Sequence, residues 1–246
     1  MINLENLLLI DIETVPLCQG YAQLPPKLQQ HWDKKASLIQ YEEDNSVQAF
    51  SERAGVYAEF GKIICIGLGY FIREENAWSL KTKVLTGDDE VAILHEFAAI
   101  CRSFFKTPNK QFCGHNIREF DMPYICRRSL INGIQLPPVL LDLQNKRPWE
   151  NPMLDTMQLW KFGEYKNFTS VDLLAAILKI ESPKEDIDGS DVAHVYWNDH
   201  DLPRIATYCQ KDIVTVAQIL MRLNGLELIP AEKINFIPIS RENLSA

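Results

Sequence analysis

Acidic side chains at three places in this chain have types and spacings that suit metal chemistry. The first place is Asp11 and Glu13, which follow an apolar run that begins at Leu7. Alternate residues of a strand point to the same side of a sheet, so both carboxylates are expected to point together. Burying them beside a core strand is costly unless a cation neutralises them, which favours a metal site. The alternative of a strand end that emerges into solvent stays open, because chance alone gives about four such pairs in a chain of this acidity.

The second place is Asp121, which ends the segment GHNIREFD that begins at Gly114. Gly114 permits a tight turn after a short apolar strand, and Asn116 is predicted to N-cap the helix that follows. Asp121 then lies in the first or second helical turn, among apolar neighbours that disfavour a simple exposed charge. His115 is interpreted as a turn histidine rather than a metal ligand.

The third place is Tyr208 and Asp212, one helical turn apart near the end of the chain. The apolar stripe of this helix consists of Leu202, Ile205, Cys209, Ile213, Val216, Leu220 and Leu223. At about 100° per residue, Tyr208 and Asp212 lie roughly 80° to one side of that stripe, at the margin of the core. For this pair alone, a surface tyrosine beside a charge remains the alternative.

The pattern of apolar residues predicts an α/β protein with a mixed central sheet that brings these places together. Strands are expected at 7–12, 62–72, 78–85, 111–113 and 153–155. Helices are expected at 89–105, from about 121 to 133, after 155, from the Thr169–Asp172 capping box to Ile180, and at 202–224. Residues 181–201 are predicted to be a polar loop, and the chain is expected to end on its last helix. Residues 20–60 are predicted to be an insertion within a single domain that spans 1–246.

Composition and charge exclude several classes of protein. The 246 residues include 25 Lys and Arg and 33 Asp and Glu, which gives a net charge of −8. A hydrophobic share of 46% can fill a core and argues against disorder. No apolar run approaches the roughly 20 residues of a membrane span. An acidic chain is not expected to coat duplex DNA, and its length leaves no room for a nucleic-acid polymerase.

The six cysteines include no C-x-x-C pair, so a zinc knuckle is not indicated. Cys65, Cys113 and Cys209 lie in apolar strand or helix patterns, which predicts buried, reduced thiols. The apolar run at 7–10 is too short for a secretory signal. Together these features predict a cytoplasmic location.

Taken together, the acidic places resemble the three motifs of the DEDD superfamily of 3′–5′ exonucleases. The matching segments, in order, are Asp11-x-Glu13, Asn116-x-x-x-Phe120-Asp121 and Tyr208-x-x-x-Asp212. The second has the form seen in proofreading domains of family B DNA polymerases, although His115 stands where those domains usually have tyrosine. Tyr208, with Thr207 where the other subclass has histidine, indicates the tyrosine subclass. Further segments resemble a stand-alone bacterial family of predicted exonucleases related to those domains: Lys146–Glu150, Leu154–Asp155 and Asp188–Ser190.

This resemblance implies a ribonuclease H-like fold and hydrolysis assisted by two divalent metal ions, Mg²⁺ or Mn²⁺. Asp11 would bridge both ions, Glu13 and Asp212 would complete the nucleophile-side site, and Asp121 would serve the second. Tyr208 would orient the attacking water, since a phenol of pKa ≈ 10 stays protonated at neutral pH. The residues expected to contact the 3′-terminal nucleotide are Thr14, Val15, Asn116 and Phe120.

The activity expected from the resemblance is removal of nucleoside monophosphates from the 3′ end of single-stranded DNA. A polymerase or repair enzyme on another chain is an expected partner, and a membrane is not. Three alternatives stay open. The first is trimming of RNA 3′ ends, as in tyrosine-subclass relatives such as ribonuclease D. The others are a non-catalytic nucleic-acid-binding module, which the intact acidic positions disfavour, and a phosphodiesterase for small molecules.

Overall fold

A computed structural model of the protein describes residues 2–39, 46–75, 77–141, 143–147, 150–165, 168–181 and 187–239. The strands are Leu7–Pro16 (β1), Gly61–Glu74 (β2), Ala77–Thr86 (β3), Gln111–Gly114 (β4), Met153–Asp155 (β5) and Ile234–Phe236 (β6). They form one sheet in the order β5-β4-β1-β2-β3-β6, in which β1 pairs parallel with β4 and antiparallel with β2. This mixed sheet flanked by helices confirms the predicted α/β class and is consistent with a ribonuclease H-like exonuclease fold.

The helices that flank the sheet are Pro26–Leu38 (α1), Ser46–Arg53 (α2), Glu90–Phe104 (α3), Asp121–Ile131 (α4), Thr156–Lys161 (α5), Val171–Ile177 (α6), Val192–His194 (α7) and Leu202–Leu223 (α8). Short 3₁₀ helices lie at Leu4–Asn6, Tyr21–Gln23, Ala54–Val56, Pro138–Leu140, Leu143–Asn145 and Ala231–Lys233. Within the described ranges, none of the helices combines the length and the apolar character needed to cross a membrane.

Strand β1 separates the two main apolar clusters by simple alternation. Its residues Leu8, Ile10 and Ile12 pack with α3 and α4 on one face of the sheet. Leu7 and Leu9 pack with α8 on the opposite face. Because side chains alternate along a strand, the next two odd-numbered residues, 11 and 13, also belong to the α8 face.

Two glycines of β2 let α8 approach the sheet closely. A Cβ atom at Gly67 would lie 2.8 Å from Ile213 Cγ1 and 2.9 Å from Cys209 Sγ. At Gly69 the same atom would lie 2.6 Å from Ile213 Cγ2. Any side chain at these positions would therefore push α8 away from β1 and β2.

A buried ion pair fixes α3 and α4 against β2. Arg128 of α4 donates to both carboxylate oxygens of Glu90 at 2.9 and 2.6 Å, and to the carbonyl of Ala58 at 2.9 Å. Glu90 also accepts from the backbone N–H of Ile63 at 2.8 Å and from the Asn132 amide at 2.9 Å. The pair is almost fully desolvated, with Glu90 7% and Arg128 4% exposed, so its hydrogen bonds carry the compensation for burial.

Residues 20–60 form a small helical layer with its own apolar centre. Trp32 and Phe50 pack edge to face, with ring centroids 5.5 Å apart, and both side chains are fully buried. The layer is attached to the core by Tyr124, whose hydroxyl donates to the carbonyl of Gly55 at 2.8 Å. Residues 40–45 of this segment lie outside the described residues.

Several predicted boundaries were wrong. Strand β1 continues to Pro16 rather than ending at Ile12, because β2 pairs with it as far as Gly61. The helix capped by Ser170 ends at Ile177, before the predicted Ile180. The predicted loop 181–201 contains α7 and a π-helical turn at Val195–Asp199, whose apolar side chains are buried over the sheet.

The prediction that the chain ends on its last helix was also wrong. After α8, strand β6 pairs in parallel with β3 at the edge of the sheet. The buried thiols predicted for Cys65, Cys113 and Cys209 are confirmed, and all three are free.

Candidate active site

Strand β1 carries the first pair of carboxylates within its length, not at its end as predicted. Asp11 pairs with Gly67 and Glu13 with Cys65 of β2. Glu13 is buried, whereas Asp11 is partly open to a groove. A register shift follows between Glu13 and Thr14, and such a bulge re-aims nearby side chains.

Asp121 reaches the same strand from α4. It is the first residue of that helix, and its Oδ1 accepts from the backbone N–H of Ile12 at 3.1 Å. Ile12 lies between the two carboxylates of β1. Two segments 109 residues apart in sequence are thus joined directly at the site.

The turn that leads to Asp121 is held by Asp155, which is 1% exposed. Asp155 caps α5 by accepting from the backbone N–H groups of Met157 and Gln158. It also accepts from the backbone N–H groups of Asn116 at 3.0 Å and Arg118 at 3.1 Å. One carboxylate therefore ties the β4–α4 turn to the start of α5.

Asn116 is not the N-cap of α4, which was the prediction. The cap position is Phe120, and Asn116 instead adopts a left-handed backbone conformation with φ 64°. Asparagine tolerates this conformation better than most residues. The correction follows from the hydrogen bonds of Asp155, which place the helix start four residues later.

Helix α8 supplies Tyr208 and Asp212. Because α8 packs closely against Gly67 of β2, these two side chains lie near the sheet and near β1. The Tyr208 phenol lies close enough to the Asp212 carboxylate for each group to shift the pKa of the other. Between them on the helix, the buried Cys209 places its Sγ 3.8 Å from Asp11 Oδ2. The phenol and the carboxylate thus stand together beside the β1 pair, as the predicted helical positions require.

Asp11 lies close enough to the other three carboxylates for each of them to raise its pKa. Burial raises the pKa of Asp11 well above its usual range, and repulsion from Glu13, Asp212 and Asp121 raises it further. Burial raises the pKa of Asp121 to about 7 and that of Asp212 to about 6. Burial, followed by the charges of Asp212, Glu13 and Asp11, also raises the pKa of the Tyr208 phenol. Tyr208 therefore stays protonated and acts as a donor.

Three of the four carboxylates, Asp11, Asp121 and Asp212, open into a groove of about 810 Å³. Its lining residues include Asp11, Asp121, Asp172, Asp188, Asp191 and Asp212. No Lys or Arg is among the described residues that line it. The groove therefore concentrates negative charge that no described Lys or Arg of its lining offsets, an environment that suits cations.

The residues predicted to contact a terminal nucleotide are only partly brought to the groove. Asn116 and Phe120 line it. Thr14 and Glu13 line an adjoining cavity of about 240 Å³, which shares Phe120 with the groove. Val15 is 0% exposed and packs among core residues on the α8 face, and it lines neither cavity, so its predicted contact with the nucleotide stays a prediction.

His115 is a structural histidine, in agreement with the interpretation from sequence. Its Nδ1 lies 2.9 Å from Thr156 Oγ1, and its Nε2 lies 2.7 Å from the carbonyl oxygen of Thr169. A carbonyl only accepts, so Nε2 carries a proton and donates. Both ring nitrogens are occupied, which leaves none for a metal ion.

Sequence reasoning missed three groove-lining carboxylates, Asp172, Asp188 and Asp191. Asp188 accepts from the backbone N–H and hydroxyl of Ser190, and these hydrogen bonds lower its pKa. The only available signal was the Asp188–Ser190 segment, and it did not specify a role. Of the related segment Lys146–Glu150, Pro148 and Trp149 lie outside the described residues.

Comparison of the sequence with known protein families gives a match that contains part of the acidic site. A sequence profile of the family described as "predicted 3′–5′ exonuclease related to the exonuclease domain of PolB" matches residues 58–228, more than half of the chain. The chain belongs to this family. The match contains Asp121, Tyr208 and Asp212, while Asp11 and Glu13 precede it and are brought to it by β1. A search of curated proteins finds no match.

Membership confirms the resemblance inferred from the three motifs and supports a 3′–5′ exonuclease function in general. Residues 20–57, which form most of the additional helical layer, lie before the matched segment. The matched segment thus contains strands β2 to β5 with Asp121 and Asp212, whereas β1 with Asp11 and Glu13, and most of the helical layer, precede it.

The raised carboxyl pKa values predict that the metal-free protein becomes less stable as pH rises from about 4 to about 7. In this window the folded protein holds protons on Asp121 and Asp212 that the unfolded chain, with ordinary carboxyl pKa values, has released. The folded state binds more protons, so its stability falls with rising pH. We expect urea unfolding in EDTA to show a smaller pH-dependent loss for Asp121→Asn than for the wild type. Parallel pH curves for the two proteins would contradict this.

Proposed function

We propose that this protein is a metal-dependent 3′–5′ exonuclease that releases nucleoside monophosphates from the 3′ end of single-stranded DNA. The observation that carries the proposal is the convergence of Asp11, Glu13, Asp121 and Asp212 beside one protonated phenol. Family membership supports the reaction class. The choice of DNA over RNA remains part of the proposal.

The donor set fits divalent cations. Four carboxylates repel one another at this place, and hard oxygen donors suit Mg²⁺ or Mn²⁺. Asp11 would bridge two ions, with Glu13 and Asp212 on one of them and Asp121 on the other. Two such ions, when bound, stabilise the attacking and leaving oxygens of an in-line displacement at phosphorus.

The side chains around the carboxylates would orient the reactants. Tyr208, held as a neutral phenol, can donate a hydrogen bond to or accept one from a water molecule but cannot act as a strong base at neutral pH. Tyr208 and Asp212 line the same groove, and the neighbouring carboxylate helps to keep the phenol protonated. Phe120 and Thr14 border the adjoining cavity, where a terminal nucleotide would lie beside Glu13.

The two residues of α8 are expected to differ in their effect on catalysis. Asp212→Ala removes a ligand and should lower kcat by roughly 10³-fold, since metal stabilisation amounts to several kcal/mol. Tyr208→Phe removes only the orienting hydroxyl and should lower kcat by roughly 10- to 100-fold. Single-turnover rates on a labelled strand measure both. Equal, wild-type-like rates for the two variants would refute the assignment.

Degradation of 5′-labelled single strands tests the proposed substrate. With Mg²⁺ or Mn²⁺, the DNA strand should shorten progressively from its 3′ end, and a chelator should stop the reaction. An RNA strand of the same sequence should be shortened more slowly. Faster shortening of RNA would change the substrate and keep the chemistry, whereas strands of both polymers that stay at full length would reject the proposal.

A further inference from the structure

The segment between α5 and α6 contains three aromatic side chains that are mostly exposed to solvent. Among the described residues, the three most exposed aromatic side chains are Phe162 at 87%, Tyr165 at 97% and Phe168 at 68%. All three lie between the end of α5 and the start of α6. An exposed apolar side chain carries functional meaning where it borders a binding groove, and one of the three does so.

Phe168 is the member of this group that lines the catalytic groove. Ser170, Val171 and Asp172, which follow it in the chain, line the same groove, as does Phe120. Phe168 therefore borders the space into which Asp11 and Asp212 open. Residues 166 and 167, just before it, are outside the described residues, and nothing in this inference depends on them.

The backbone beside Phe168 is held in place by the structural histidine. His115 donates to the carbonyl of Thr169, the next residue, at 2.7 Å. Ser170 then caps α6 by accepting from Leu173 N–H at 3.2 Å. His115 is itself buried and bonded to Thr156 of α5. The main chain at Phe168 is thus anchored while its ring is left in solvent.

The charge of the groove explains why an aromatic contact matters there. The groove is lined by six aspartates and, among the described residues, by no Lys or Arg. A nucleic-acid strand usually gains affinity from ion pairs with its phosphates, and this groove offers none. Stacking of bases on aromatic rings is the alternative, uncharged source of affinity for single strands.

We propose that Phe168 is a stacking platform for an unpaired base of the substrate, with His115 as the residue that positions it. This inference rests on the proposed function for the occupant of the groove. It assigns the aromatic wall to single-stranded nucleic acid, because only unpaired bases offer free faces to the ring. The contact is insensitive to base identity, since every base has such a face.

Binding of a fluorescent single-stranded oligodeoxynucleotide, measured by anisotropy in Ca²⁺, tests the contact apart from turnover. Carboxylate oxygens also bind Ca²⁺, and a gel shows whether the strand stays intact. Phe168→Ala should weaken binding by roughly 5- to 150-fold, the range for loss of one stacked base. Phe168→Trp should retain binding. Phe236→Ala, an exposed aromatic on the β6 edge of the sheet, should bind like the wild type.

A strand of the same length with abasic sites in place of its bases is the matched ligand. The wild type should bind it more weakly than the normal strand, and Phe168→Ala should lose that preference. In Mg²⁺, Phe168→Ala should raise KM and leave kcat nearly unchanged.

Equal affinity of wild type and Phe168→Ala for the normal strand would overturn the inference even if the strand is degraded. Loss of binding in Phe168→Ala, with no degradation by the wild type, would instead overturn the proposed function alone.

Discussion

Replacing Asp11 by asparagine is expected to reduce 3′-terminal hydrolysis by roughly 10³-fold or more, the largest effect on activity of any single substitution in this chain. The charges of Glu13, Asp212 and Asp121 all raise the pKa of Asp11, so it lies close to each of the other three carboxylates. It would ligate both cations, so its loss removes several kcal/mol of transition-state stabilisation. Asparagine keeps the volume and removes the charge. Single-turnover kinetics with excess enzyme measure the chemical step directly.

The fold of the Asp11→Asn variant should be preserved, because the substitution relieves repulsion in the metal-free site. Asp199→Asn is the matched control: this aspartate lies outside the groove, and its side chain is 42% exposed. The control should keep wild-type rates. An Asp11→Asn variant that retains its fold and hydrolyses the strand within a few-fold of the wild-type rate would contradict the placement of the metals.

Removing one partner of the Glu90–Arg128 pair is expected to cause the largest loss of stability. The pair is buried, and its atoms approach to 2.6 Å. Arg128→Met leaves the Glu90 carboxylate buried with fewer donors, which costs about 3–5 kcal/mol. For a chain of this size, that corresponds to a fall in Tm of about 6–20 °C. Urea unfolding followed by circular dichroism measures the change in free energy.

The surface pair Lys83–Glu96 provides the control. Its atoms are also 2.6 Å apart, but both side chains are 41% exposed. Lys83→Met should therefore change the free energy of unfolding by about 1 kcal/mol or less. The double variant Glu90→Leu with Arg128→Met should recover part of the loss, because no charge is left buried. A single Arg128→Met variant as stable as the wild type would show that the pair adds nothing.

The acidic site could be predicted from sequence because short-range periodicity determines most of it. Alternation along β1 places Asp11 and Glu13 on one face, and helical spacing places Tyr208 one turn from Asp212. The resemblance to the three exonuclease motifs then indicates that these distant segments of the chain form one site. The carboxylates were found without knowledge of the distances between them.

The parts that failed depend on contacts between distant segments. The backbone of Asn116 is set by the carboxylate of Asp155, 39 residues later, so local helix-capping preferences gave the wrong helix start. Val15 is buried because β1 continues past the predicted end and α8 covers it. Of the three further groove aspartates, only Asp188 lies in a segment that the sequence singled out, and that segment specified no role. No local pattern distinguishes Asp172 and Asp191 from ordinary surface charges.

Release of the 3′-terminal nucleotide is the most direct test of the central claim, which is metal-dependent hydrolysis from the 3′ end by the four carboxylates. A single strand labelled only in its last nucleotide should yield labelled nucleoside monophosphate as the first product, with Mg²⁺ or Mn²⁺ and wild-type protein. Chelator, or the Asp11→Asn variant, should leave the label on the strand. Label that appears first in longer fragments, or release that continues in the Asp11→Asn variant, would contradict the account.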